Sequence, residues 1–258
     1  MADRLYLSLW YPNFRLESLP AALTGVMRQF AMVGQKRVAA ASAYPINFTE
    51  PPTYQRIYVV SEPTPPGVPP GPLPHTTLDT PDSVIETAVA EATEQLHDDM
   101  AFEFEMRWLL WSPEQPGQSS SARPSLSPET EYDPDHDYAE SEAEDSDPNQ
   151  TAAPDSPWRL RPHTVHILGF GPNFDVAGYE QNGHLLVDFG LDTPWVLETL
   201  GDQPLDKTAQ LHIQQNIEKL LAFTLLVEKN CGISSRLLWT ESGEPLAEKL
   251  IARLQRVN

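Results

Sequence analysis

Histidines and carboxylates are the groups of this 258-residue chain whose types and spacing could do chemistry. His163 and His166 lie in one strand-like run, and His184 and Asp188 lie in another. A histidine beside a carboxylate is the usual apparatus of acid–base catalysis, because the carboxylate orients the imidazole and raises its proton affinity. Residues four apart on a strand share a face, so His184 and Asp188 can meet, whereas His163 and His166, three apart, point to opposite faces. His166, His184 and Asp188 are therefore the candidate catalytic residues. A hairpin with polar groups on its solvent face accounts for the same spacing without catalysis.

A second constellation lies in an acidic run. Asp133, Asp135, Asp137, Ser141 and Glu144 fall at positions 1, 3, 5, 9 and 12 of a calcium-binding EF-hand loop. Position 6, which needs glycine for a sharp turn, holds Tyr138, position 2 is Pro134, and neither flank reads as a helix. Alternating acids produce such spacing by themselves, so no metal and no cofactor is expected. Asp188-Phe189-Gly190 copies the metal-binding tripeptide of protein kinases without their glycine-rich loop or catalytic loop. We read Phe189 as a core residue. His75-Thr76-Thr77-Leu78 has one histidine–threonine element where a two-histidine phosphoesterase needs two. Cys231, the single cysteine, follows a long helix at its negative end, which disfavours a thiolate and predicts a structural residue.

The elements that must position these groups fall in two halves. In residues 4–111, Leu5, Leu7 and Leu9 alternate with Tyr6, Ser8 and Trp10 as in a strand with two unlike faces. Ser18 and Pro20 start a helix whose stripe is Leu23, Val26, Met27 and Phe30. Strands follow at 37–44 and 56–60, and Thr80-Pro81 opens a helix burying Ile85, Ala88, Val89, Ala92 and Leu96. Phe102, Phe104, Met106, Trp108 and Leu110 then alternate with Glu103, Glu105 and Arg107. The order βαββαβ is ferredoxin-like, with helices on one face of an antiparallel sheet. Between these elements, seven prolines in residues 62–74 predict a stiff polyproline II arm.

The second half, 158–258, reads as a strand at 158–170, a pair around Asn182-Gly183 (174–180 and 184–189), a helix from about 206 to 230, a strand at 233–239 and a last helix after Ser242. The long helix is apolar over much of its circumference, through Ile213, Ile217, Leu220, Leu221, Phe223, Leu225, Leu226 and Val227, which predicts packing on more than one side.

Residues 112–157 separate the halves. They hold twelve acids, one arginine and eight prolines, and Leu126 is their one aliphatic side chain larger than alanine. So little apolar surface cannot offset the entropy of ordering a backbone, and the segment is expected to be a disordered insertion. Twelve acids less one arginine make −11 of the chain's −20, leaving −9 for the rest. The expected architecture is α+β, with Phe102–Trp111 pairing with Trp158–Phe170 so that both halves pack as one domain around the acidic insertion.

Acidity argues against nucleic acid and anionic membranes as partners and for a protein partner with a basic surface. One cysteine suits a reducing cytoplasm, and the longest mostly apolar run, Leu220–Val227, is far short of a bilayer span. Three functions fit: a non-catalytic interaction protein of the cytoplasm, a hydrolase-like enzyme built on His166, His184 and Asp188, or an acidic mimic of nucleic acid. The absence of a complete catalytic constellation favours the first.

Overall fold

The computed structural model describes residues 3–58, 81–113, 158–174, 183–191, 199–200, 203–204 and 207–241. Alternation makes β1 of Arg4–Trp10, with Leu5, Leu7 and Leu9 fully buried on one face and Tyr6 and Ser8 on the other. The chain continues through α1 (Leu19–Val33), β2 (Val38–Pro45), β3 (Tyr54–Ile57), α2 (Pro81–Ala92) and β4 (Met100–Pro113). Then come β5 (Trp158–Phe170), β6 (Leu185–Leu191), the short β7 (Thr199–Leu200) and β8 (Gln203–Pro204), α3 (Lys207–Asn230) and β9 (Ser235–Thr240). Seven strands form one sheet in the order β3-β2-β4-β5-β6-β1-β9, and every pairing in it is antiparallel. The fold is α+β.

The three described helices bury their apolar stripes against one face. The α1 stripe expected from sequence is fully buried, and Ile85, Ala88, Val89 and Ala92 of α2 join the same core. Helix α3 differs from expectation. Its buried residues, Ile213, Asn216, Ile217, Leu220, Phe223 and Val227 among them, make one stripe against α1 and β4, while Leu225 is 59% exposed. The run of leucines widened the apparent stripe, but 3.6-residue geometry turns Leu225 to water. Gly169 of β5 lets α1 approach closely: a Cβ there would lie 2.7 Å from Leu19 Cδ1 and 3.1 Å from both Leu23 methyls. Gly169→Ala is expected to cost about 1–2 kcal/mol by overpacking, measured by urea unfolding, with Gly190→Ala as a control whose added Cβ meets nothing. That control carries only the backbone strain of a left-handed residue, since Gly190 has φ of 76°.

Strands β4 and β5 pair throughout, from Ala101 with Phe170 to Pro113 with Trp158. Strand β4 therefore runs two residues into the acidic segment, and the rest of that segment lies outside the described residues, as do the proline arm and the expected last helix. Beyond Met106, no described strand pairs with β4 on its β2 side. There Gln35 N–H donates to Arg107 O, Lys219 Nζ to Leu109 O, and the buried Asn216 amide brackets Trp111 by accepting from its N–H and donating to its C=O, both at 2.9 Å. A loop amide and two helix side chains thus satisfy backbone groups that no described strand pairs.

The order β-α-β-β-α-β is present over residues 4–113, yet these four strands do not close into one ferredoxin-like unit. Strand β1 sits between β6 and β9, separated from β4 by β5 and β6. The reason is register: β1 finds its apolar partners in the second half, where Leu7 faces Val187 and Leu238. Phe174, expected to begin a strand, lies buried in a turn, and residues 175–182 lie outside the described residues. No described helix is long and apolar enough to cross a membrane.

Candidate functional site

The face of the sheet opposite the helices carries the chemistry. In register across six strands stand Ala40, Glu105, His166, Asp188, Tyr6 and Trp239. Residues directly opposite one another share a face, so the row crosses the sheet at one level, spanning about 24 Å at ~4.8 Å per strand. One step along, Ser42, Glu103, Leu168, Leu186, Ser8 and Leu237 make the next row.

His166 is held diagonally by Glu103, with Nδ1 at 2.8 Å from Oε1. Both side chains are about three-quarters withdrawn from water, at 28% and 22% exposure. The Glu103 bond, reinforced by charges on Glu103, Glu105 and Asp188, raises the His166 pKa despite the opposing effect of burial. The same bond lowers the Glu103 pKa. Each partner thus favours the charged form of the other. Asp188 pairs with Arg4 and accepts the Gly190 N–H at 2.8 Å. A register shift in β1 between Arg4 and Tyr6 lets that guanidinium reach back, and Gly190 has φ of 76°, the left-handed region that glycine enters freely. Asp188-Phe189-Gly190 is therefore an ion-paired aspartate, a buried core ring and a left-handed glycine near the end of β6. Farther along the row, Tyr6 stacks on Trp239 with centroids 4.6 Å apart, the Tyr6 hydroxyl reaches Glu241 at 2.8 Å, and Trp239 Nε1 donates to Ser8 Oγ at 2.9 Å.

Of the sequence candidates, the structure brings His166 and Asp188 together and leaves His184 out. His184 precedes β6, its ring stacks on Phe14 at 4.2 Å, and its Nδ1 accepts the Tyr11 N–H at 3.0 Å. Burial lowers its pKa. Pairing it with Asp188 assumed that the strand began at 184; it begins at Leu185, and the imidazole turns toward the β1–α1 connection. His163 bonds Ser112 Oγ through Nε2 at 2.8 Å and lies on the face opposite His166. Asp133, Asp135, Asp137 and Glu144 lie outside the described residues, as does His75. Among the described residues, His97, Asp98 and Asp99 alone cluster closely enough to offer three metal-ligand atoms, and they are consecutive residues on a loop. Burial pushes the Cys231 thiol up to about 11, so it is no nucleophile at neutral pH.

Sequence reasoning missed Glu103, Arg4, Tyr6 and Trp239 as members of the site. Their signal was present as polar positions alternating with buried ones, but alternation does not say which strands are neighbours.

Fold and site together define an α+β protein with a charged and aromatic platform on its sheet. No family model, curated protein or solved structure matches this chain, so the platform itself carries the functional reading.

Proposed function

We propose that this chain is a non-catalytic accessory protein of the cytoplasm that binds a protein partner with a basic surface through the platform, without need of the acidic segment. The observation that carries this reading is the row itself: Glu105, His166, Asp188, Tyr6 and Trp239 stand in register across five strands on the face opposite the helices. The Glu103–His166 and Arg4–Asp188 pairs tie its charged groups to one another, with side chains that stay partly open to water. Such an array offers charge and aromatic surface to a partner. Glu103, Glu105, Asp188 and Glu241 outnumber Arg4, Arg107 and His166, and the Tyr6–Trp239 stack supplies residue types that anchor interfaces.

The test is retention of a partner from host extract by immobilised full-length protein. Glu105→Lys and Trp239→Ala, each confirmed folded by thermal melting, are expected to reduce retention at least tenfold. Deleting residues 114–155 is expected to leave it intact, which separates this reading from nucleic-acid mimicry. Equal retention by wild type and both platform variants would exclude the platform as the binding surface. The hydrolase-like alternative keeps one specific support, the Glu103 bond that orients His166 Nδ1. Ester or phosphoester turnover that vanishes in His166→Asn would favour it instead.

A further inference from the structure

Three carboxylates surround His166 on the platform. Glu105 of β4 lies directly opposite it on one side, Asp188 of β6 directly opposite on the other, and Glu103 reaches it diagonally at 2.8 Å. Opposed side chains on an antiparallel pair have Cβ atoms about 5 Å apart, close enough for charges to act on one another. Two of the three acids are already engaged. Glu103 holds His166, and Asp188 holds Arg4 and the Gly190 N–H. Glu105 makes no hydrogen bond or ion pair among the described residues. The other charged groups of this face are Arg107, opposite Thr164, and Glu241, which accepts the Tyr6 hydroxyl. Tyr6 beside Asp188 and Tyr44 beside Glu103 complete the surroundings; burial raises both phenols, so they keep their protons. On β5 itself the flanking residues of this face, Thr164 and Leu168, carry no charge.

The carboxylates of Glu103, Glu105, Asp188 and Glu241, less the guanidiniums of Arg4 and Arg107, leave this face at −2 when His166 is neutral and at −1 when it is protonated. One proton therefore halves the charge that a basic partner meets. The side chains of His166 and Glu103 are 28% and 22% exposed, so an arriving cation can come up to the cluster. That cation and the imidazolium would repel each other while drawing on the same acids. We propose that His166 gates the platform: the partner brings an arginine side chain to Glu105, and His166 releases its proton to solvent as that cation settles. This rests on reading the platform as the surface for a basic partner, and it adds what the partner presents and how pH controls it. A guanidinium suits the place because its charge does not titrate and its fork matches a carboxylate whose two oxygens are uncommitted. A bound cation disfavours the charged imidazole, so the complex holds fewer protons than the free protein and binding tightens as pH rises. The Glu103 bond, opposed by burial and aided by Glu105 and Asp188, places this transition above the ordinary histidine value of about 6.5.

The probe is acetyl-tetra-arginine amide, whose charge is constant from pH 6 to 9. Full-length protein would be titrated over that range with and without the peptide, with histidine ring protons followed by NMR and His166 assigned by the signal that His166→Gln lacks. At saturating peptide the His166 midpoint is expected to fall by about 0.5 pH units, and peptide affinity to rise about threefold from pH 6 to 9, two measures of one linkage. Peptide held by the acidic segment alone would not move this midpoint. Glu105→Lys is expected to weaken the peptide and abolish the fall. In His166→Gln, confirmed folded by thermal melting, affinity is expected to stay flat across the range. Glu103→Gln, which keeps the imidazole but lowers its midpoint, is expected to show the rise at lower pH. An unmoved His166 midpoint, with affinity still reduced by Glu105→Lys, overturns the gate and leaves the platform reading standing. An unmoved midpoint with equal affinity in wild type and Glu105→Lys overturns both.

Discussion

Trp108→Ala is expected to destabilise the protein by about 3–5 kcal/mol, the range for removing a large aromatic side chain from a core. Trp108 is fully buried on β4, where four elements meet through their rings. Its indole stacks on Phe189 of β6 at 5.4 Å and tilts against Phe30 of α1 at 5.3 Å. Phe223 of α3 closes the group, edge-on to Phe30 at 5.5 Å and to Phe189 at 5.9 Å. Each neighbour is anchored to a different element, so none can move into the space without shifting a helix or strand, and the cavity term is paid nearly in full. Urea unfolding of wild type and variant measures the difference. A loss under about 1 kcal/mol, well below the usual cost of such truncations, would show that these rings do not couple the halves. If the alanine variant does not refold, Trp108→Phe reads the same packing, with an expected cost of about 1–2 kcal/mol.

The second expected result is a dependence of stability on pH that travels with Glu103. His166 has a raised pKa in the folded protein, so its contribution is fully present below the ordinary histidine value of about 6.5 and is lost as pH rises through the raised value. Glu103 has a lowered pKa, so its contribution is present above the ordinary value of about 4.3 and is lost as pH falls through the lowered one. The pair therefore stabilises most between those limits. Glu103→Gln removes one charge and keeps the shape. At pH 6 it is expected to cost about 1.5–2 kcal/mol, the lower part of the range for bonds to charged groups, because both side chains keep some contact with water. As pH rises through the raised His166 value and the imidazolium is lost, the gap is expected to shrink to under half. The comparison between variant and wild type cancels the other titrating groups. A gap that stays constant from pH 6 to 9 would refute the assignment. An NMR titration gives a second reading: the His166 midpoint is expected to fall in Glu103→Gln, though Glu105 and Asp188 continue to support the cation.

The platform was half legible. The alternation of Phe102, Phe104 and Met106 with Glu103 and Glu105 placed those glutamates away from the core before any coordinates, and the parity of His163 and His166 placed them on opposite faces, as they are. The error at His184 came from extending the same parity one residue past the end of β6, where strand geometry no longer applies. The overestimate of α3 came from counting leucines rather than their angular positions. Asn216 illustrates a different limit. A polar residue inside an apolar stripe looks like an interruption, and its purpose is visible only when the backbone of Trp111 lies opposite.

Local spacing alone indicated the kind of β1, α1, β4, β5 and α3, because helix and strand periods are properties of adjacent residues, whereas the two-residue β7 and β8 are too short to carry a period. The antiparallel α+β character follows from that. Which residues meet across the sheet was decided by the assembled chain. His166 and Glu103 are 63 positions apart, and Arg4 and Asp188 are 184 apart. Their meeting depends on strand order and register, and a slip of one residue would turn every one of these side chains to the other face.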